Sequence, residues 1–425
     1  MVEKLFIRGA RIIDPSQNMD IMGDLLLNDG KIEAINPSLP PMDAEVLDAS
    51  GLVAAPGLVD MHVHLRDPGQ TQKEDIFSGC RAAAAGGVTS LLAMPNTVPP
   101  VDTPELVADI LHRSRKADAR VYIAAAITQG LKSEEPTDID GLFGAGAIAL
   151  SDDGRPVENT RFLADAMVKA QQLGMRVTAH CEDLFLAKGG LINEGSVSSQ
   201  LGVKGVPAAA EDAGTAREIA VAAAYGVPVH ICHVSTAGSV ALVRDAKARG
   251  VSVTAETCPH YFTLTEEALL SRDADFRMNP PLRTERDRQA ILEGLRDGTL
   301  DAIATDHAPH TSEEKSDFYR APNGSIGMET SLAAGITMLV RTGCLSLMDL
   351  LRLMSTAPAK ILGIPAGTLA VGAPADVILF NQAERWTVDP LKLHGKSCNT
   401  PFKGMTLHGR VKTTICGGRI VYQEP

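Results

Sequence analysis

The chain has 425 residues, 44% of them hydrophobic and 22% charged, enough to bury a large core across two or three folding units. Its formal net charge of -12, with no lysine and arginine run able to track a phosphate backbone, argues against nucleic acid and anionic membrane as partners. No apolar run is long enough to span a bilayer, and the opening MVEKLFIRGARIIDP lacks the apolar core and cleavage site of a signal peptide, so a cytoplasmic protein is expected.

Residues 1–55 alternate short apolar runs (LFIRGARIID, DLLLNDGKIEAI, AEVLDASGLVAA) with turn signals at Asn28-Asp29-Gly30 and from Pro37 to Pro41. This is the pattern of short antiparallel strands, with no helical period. From Gly57 onward, apolar strand candidates alternate with amphipathic helices. Eight such candidates lie at 57–66, 89–96, 120–128, 145–154, 176–183, 227–236, 251–261 and 301–310. Thr103-Pro104-Glu105 offers an N-cap with proline at the first helical position, and Gly86, Gly174, Gly226 and Gly250 stand where helices should stop.

Eight parallel strands with helical crossovers suit an α/β fold, a (β/α)8 barrel over 56–365. A last helical stretch, 346–363, is opened by Ser346, after which GTLAVGAPADVILF and MTLHGRVKTTICGGRIVYQ read as strands. Neither flank can bury a core alone, so 1–55 and 366–425 are expected to meet as a small flanking β-sandwich domain. A doubly wound open sheet is the structural alternative, and it would not require the strand ends to converge on an axis. The GAGA at 144–147 lacks a third glycine and leads into a strand, so it does not read as a dinucleotide site. Seven cysteines, at 80, 181, 232, 258, 344, 398 and 416, are scattered without a CxxC pair and read as small buried hydrophobes.

The stretch PGLVDMHVHLRDPG, 56–69, places Asp60, His62, His64 and Arg66 two residues apart, on one side of a strand. Two histidines so spaced can hold one divalent cation, and the arginine offers a fork of donors suited to a carboxylate. Alone, an HxH is equally two unrelated strand histidines. The other strand candidates also end in polar residues: Asn96, Asp152-Asp153, His180, His233, and Asp306 with His310 just beyond. Each has a dull explanation, such as a helix cap or a satisfied carbonyl. Together, four histidines and two aspartates at one rim make the N/O donor set for two divalent ions with a shared carboxylate. Such a pair can hold a bridging water whose pKa falls from about 16 towards neutrality, and the hydroxide so formed can attack a stable amide. A carboxylate beside the metals must then pass the proton to the departing nitrogen, and Asp306 is the candidate.

Strand alternation also sorts the neighbours. His230 and His233 face opposite sides, as do Asp152 and Asp153, so only one of each pair can reach the metals. His260 reads as packed, His307 and Cys181 as pointing away, and Asp60 as a deeper, structural carboxylate.

Together HVHLRDPG, MPNT, SDDG, AHCED, HVST, MNPPLR, TDHAPH and KSCNTPF resemble the dihydroorotases, cyclic amidohydrolases of the amidohydrolase superfamily. The resemblance implies a barrel with a flanking β domain and a binuclear zinc centre. It assigns His62, His64 and Asp306 to one ion, His180 and His233 to the other, and Asp153 to the bridge. Many superfamily relatives bridge with a carboxylated lysine; this chain has no lysine in its fourth strand and resembles the bacterial branch with aspartate. The resemblance also puts Arg66, Asn96 and His310 at the substrate carboxylate, with His64 close to the substrate. Asn279 and the Asn323-Gly324 backbone fall near the pyrimidine ring, although relatives carry Phe-Gly at the last pair.

The implied reaction interconverts N-carbamoyl-L-aspartate and L-dihydroorotate in de novo pyrimidine biosynthesis. The implied partners are that small-molecule substrate, a second copy of the chain in a homodimer, and aspartate transcarbamoylase. Two other readings compete. A hydantoinase or allantoinase would keep the chemistry and change the ring, but would leave Arg66 an unpaired charge. A catalytically silent scaffold binding an enzyme of the same pathway would have no reason to hold six metal-binding side chains.

Overall fold

The structure, a computed structural model, describes residues 4–38 and 42–424. The expected Pro37 to Pro41 turn therefore falls partly outside the described residues. Eight parallel strands follow one another in strict chain order around a barrel: β1 (Leu58–Val63), β2 (Val88–Ala93), β3 (Arg120–Ala125), β4 (Ala149–Leu150), β5 (Arg176–Ala179), β6 (Val229–Ile231), β7 (Val253–Thr257) and β8 (Ala302–Ile303). The seam between β8 and β1 is joined by a bridge from Val63 to His307, where His64 N donates to His307 O at 2.8 Å. The open-sheet alternative is thereby excluded.

The ladders are shorter than the apolar runs that announced them, with β4 and β8 only two residues each. The cause is local. Arg66, His233 and Asp306 carry φ values of 59°, 37° and 48°, a left-handed conformation that costs non-glycine residues roughly 1–3 kcal/mol and ends a strand. β6 and β8 stop early because the residues that follow them turn into the mouth of the barrel.

Helix punctuation works as expected. Thr103 accepts from Leu106 N to open Pro104–Ser114, and Ser346 accepts from Asp349 N to open the last helical stretch. Gly174 and Gly226 end their helices in the left-handed region at φ 73° and 65°. Among the described residues no helix is long and apolar enough to cross a membrane. All seven cysteines are free thiols, five of them buried.

Both chain ends build a single eight-stranded sheet against the barrel, in the order Arg419–Gln423, Thr406–Cys416, Val377–Thr387, Val53–Pro56, Lys4–Asp14, Met19–Asn28, Lys31–Ile35, with Glu45–Asp48 also on Lys4–Asp14. The N-terminal part is not wholly antiparallel as the sequence suggested. Glu45–Asp48 and Val53–Pro56 both run parallel to Lys4–Asp14, one on each side of a break at Gly9, whose φ is 75°. Alternation then sorts the apolar side chains. Ile12, Ala54, Val377 and Leu379 enter the flanking domain's own core, while Ile13, Val53, Ala55, Ile378 and Phe380 pack on the barrel. An ion pair between Arg120, at the start of β3, and buried Asp376 ties the two parts together.

Candidate active site

The carboxyl ends of five strands bring six of the expected side chains into one buried cluster: His62 and His64 from β1, then Asp153, His180, His233 and Asp306 after β4, β5, β6 and β8. Asp153 lies at its centre. Its Oδ1 stands 3.2 Å from His62 Nε2, 3.6 Å from His233 Nε2 and 3.7 Å from His180 Nδ1, and its Oδ2 stands 3.5 Å from His64 Nε2. Asp306 Oδ1 lies 3.0 Å from His64 Nε2 and 3.7 Å from His62 Nε2. Two donor sets result, His62 with His64 and Asp153, and Asp153 with His180 and His233.

The cluster fits divalent cations better than it fits itself. His62 Nε2 and Asp153 Oδ1 are buried without a hydrogen-bond partner, a condition that costs roughly 1–3 kcal/mol per group when nothing else satisfies it. Imidazole nitrogens and carboxylate oxygens converging on one region are the donors that zinc and its first-row neighbours take. Burial alone would raise the Asp153 carboxyl, yet the histidines crowded around it, His62 foremost, hold it well below the usual range. Burial is likewise overcome at Asp306, where His64 and the charges around it bring the carboxyl down to about 2. Both side chains therefore present negative charge at neutral pH.

A surrounding layer fixes these groups. Asn96 brackets two of them, with Oδ1 2.7 Å from His64 Nδ1 and Nδ2 donating to Asp153 Oδ2 at 3.3 Å. Asp152 turns away, accepting from Ile127 N at 2.7 Å, Thr128 N at 3.1 Å and the Thr128 hydroxyl, so only Asp153 reaches the cluster. Asp60 ties β1 to the end of β8 by accepting from Thr305 N at 3.0 Å and Thr305 Oγ1 at 2.6 Å. His307 points away, its Nδ1 accepting from Gly327 N. His260 is buried beside Tyr261.

The expected substrate groups gather on one flank. Arg66 is 8% exposed, forms no ion pair among the described residues, and donates Nε to Pro309 O at 3.2 Å. His310 Nδ1 faces Lys73 Nζ at 3.5 Å, while its Nε2 faces both Asn323 O at 3.0 Å and Arg66 Nη2 at 3.3 Å. With the ammonium donating to Nδ1, the ring hydrogen sits on Nε2 and goes to Asn323 O. Arg66 Nη2 is then left to donate elsewhere. Asn323 Oδ1 accepts from Arg277, and Lys315 Nζ donates to Arg277 O, Pro322 O and Gly324 O at 3.0–3.2 Å, so this loop is held from beneath. Gly324 is required by space and backbone alike: its φ is 139°, and a Cβ there would lie 2.8 Å from Ala308 Cβ and 3.0 Å from His310 Nε2. Asn279 donates to Glu182 Oε2 at 3.4 Å, and with Asn323 and Met278 they line a cavity of about 220 Å3.

Sequence reasoning missed Glu182, Glu256, Lys73 and Lys315. Glu182 stands behind His180 at 3.5 Å and Glu256 behind His62 at 3.3 Å. A signal existed for both. Glu182 follows His180 by two residues, and Glu256 is a lone charge in the otherwise uncharged run VSVTAETCPHY.

A family model described as dihydro-orotase-like matches residues 51–239. The chain is 49% identical to a dihydroorotase of Syntrophus aciditrophicus over 425 residues, covering 99% of this chain and 100% of that protein. It is also 49% identical to a dihydroorotase of Citrifermentans bemidjiense over 422 residues, 99% of each. Among solved structures, dihydropyrimidinase from Brevibacillus agri matches with a TM-score of 0.86 at 27% identity, covering 99% of this chain and 95% of that one. L-hydantoinase from Arthrobacter aurescens matches with a TM-score of 0.88 at 25% identity, covering 100% and 96%. The barrel is thus shared with enzymes named for other cyclic amides, while identity nearly twice as high runs end to end along the dihydroorotases. By that end-to-end identity the chain belongs to the dihydroorotase family of cyclic amidohydrolases.

Proposed function

We propose that the chain interconverts N-carbamoyl-L-aspartate and L-dihydroorotate, with two zinc ions held by His62, His64, Asp153, His180, His233 and Asp306. The observation that carries this reading is the membership of Asp153 in two donor sets at once. Bound there, the ions would supply Lewis acidity and a strongly acidified water. The chain's own groups do the rest. In ring opening Asp306 begins ionised, takes up a proton and returns it to the departing amide nitrogen; in ring closure the ionised carboxylate takes the proton from that nitrogen and passes it back along the same path. Its position is fixed through Thr305, which is clamped by Asp60.

Arg66 separates this substrate from hydantoin and allantoin. A buried guanidinium with no carboxylate of its own is matched by the carboxylate that dihydroorotate carries on its ring. His310 lies beside it, and Asn279 and the Asn323-Gly324 backbone face the ring. Asn96 holds His64 and Asp153 in place besides standing at the carboxylate. The proposal extends to a cytoplasmic homodimer and to association with aspartate transcarbamoylase, both readable by sedimentation velocity with and without that enzyme. Metal analysis of purified protein, combined with assays on dihydroorotate, hydantoin and allantoin, tests the reaction itself. Two zinc ions per chain and a preference for dihydroorotate are expected. One ion or none in active protein, or a preference for either other ring, would overturn the proposal.

A further inference from the structure

On the side of His62 away from Asp153, three side chains form a closed buried line. His62 Nδ1 stands 3.3 Å from Glu256 Oε1, Glu256 Oε2 stands 3.3 Å from His230 Nε2, and His230 Nδ1 lies 2.8 Å from Thr254 Oγ1. His62, Glu256 and His230 are each 0% exposed. Among the described residues the four inner atoms, His62 Nδ1, His230 Nε2 and both Glu256 oxygens, make no hydrogen bond to any group outside this line except for the Cys232 thiol beside His62.

Elementary bonding rules place the two hydrogens that face Glu256. A carboxylate only accepts, so imidazole nitrogens facing its two oxygens must each carry hydrogen. His230 Nδ1 meets the Thr254 hydroxyl, which can donate to it or accept from it. With the hydrogen on Nδ1 committed to Glu256, Nε2 is the nitrogen of His62 left to offer a lone pair to a bound cation on the Asp153 side, 3.2 Å away. We infer that Glu256 is a positioning residue that, anchored by His230, locks His62 in the tautomer and ring orientation a metal ligand needs. The inference rests on His62 being a ligand, as proposed above.

Two comparisons within the site sharpen it. Glu182 stands behind His180 in the same manner, but it also accepts from Asn279 and borders the 220 Å3 cavity, so it can change partners when substrate enters. Glu256 has no such freedom. His62, Cys232 and Glu256 also lie close enough to form a donor set. With hydrogen on His62 Nδ1, no lone pair remains on that side for a cation, so the trio is a support and not a third metal site.

The test combines a spectrum with a titration on the zinc-loaded protein. Long-range proton–nitrogen correlation with 15N-histidine, assigned by loss of one ring pattern in His62→Asn, should show hydrogen on His62 Nδ1. Chelator competition should show Glu256→Gln losing about 10- to 100-fold in affinity for one zinc while the other is unchanged, with His230→Gln moving the same ion less. A His62 ring with hydrogen on Nε2 overturns the inference. So does folded Glu256→Gln holding both ions as tightly as wild type, or a third zinc in wild type that this variant alone loses. Should Glu256→Gln fail to fold, the wild-type spectrum decides alone. Should the purified protein hold no zinc, the binuclear reading fails, while the same spectrum still reports the His62 tautomer.

Discussion

The two ends of the barrel teach opposite lessons about where function sits. At the amino-terminal end, a cavity of about 860 Å3 opens among Arg176, Val229, Thr254, Leu300, Arg352 and Lys360. Its acids are already matched: Asp301 pairs with Lys247 at 2.6 Å, and Asp349 pairs with Arg352. At the carboxyl end the cavity is only about 220 Å3, yet Asp153 and His62 hold buried atoms that no protein group satisfies. Unpartnered imidazole and carboxylate atoms converging in one buried place, and not the size of a hollow, mark the chemical end, because such donors are the ones a bound cation satisfies.

The largest effect that could break this contrast comes from Asp153. Asp153→Ala should lose at least one ion and essentially all turnover, read by elemental analysis and by assay in both directions. Asp152→Ala should keep both ions, since Asp152 accepts only from Ile127 and Thr128, and should instead lose about 1–3 kcal/mol of stability in denaturant melts. The reverse order would place the bridge at the wrong aspartate. Next comes Asp306→Asn, expected to lower kcat about 10^2- to 10^4-fold in both directions with zinc retained. In both directions the competent form of Asp306 is ionised, and with its carboxyl held down to about 2 it adds no pH limb of its own near neutrality, so the variant and not the pH profile tests it. Ring opening releases a proton, and the two directions must diverge with pH under any mechanism. Near-normal kcat in Asp306→Asn would leave that residue a ligand and nothing more.

Arg66→Met is expected to cost about 3–5 kcal/mol of recognition, a loss of hundreds-fold or more in kcat/KM for dihydroorotate. Unchanged turnover would remove the reason for preferring a carboxylated ring. The smallest effect is set at the opposite pole: Lys360→Ala, in the larger cavity, should leave kcat/KM within error of wild type. A loss there comparable to Arg66→Met would mean that the large hollow, too, serves the reaction.

Much of this architecture was legible in the sequence because it rests on local rules. Apolar runs alternating with amphipathic helices gave the barrel strands, Thr103 and Ser346 gave helix starts, and polar residues at strand ends gave the cluster. Lengths were not legible, because the left-handed turns at His233 and Asp306 cut their strands short, and nothing in either residue type announces such a backbone. Pairing direction around Lys4–Asp14 was lost for a similar reason, since a break at Gly9 lets two later strands share one edge. Separating Asp152 from Asp153 needed the Thr128 hydroxyl and two backbone donors, contacts made across 24 or 25 residues of chain. Glu256 was missed because its partner His230 had been set aside for facing away from the metals, which is where a supporting group must stand.

The central claim is that Asp153 is shared between two ions, and anomalous diffraction at the zinc edge from crystals of the zinc-loaded protein tests it most directly. The account predicts two peaks, one beside His62 and His64 and one beside His180 and His233, with Asp153 contacting both. A single peak, two peaks that do not share Asp153, or a peak held between Cys232 and Glu256 would contradict it.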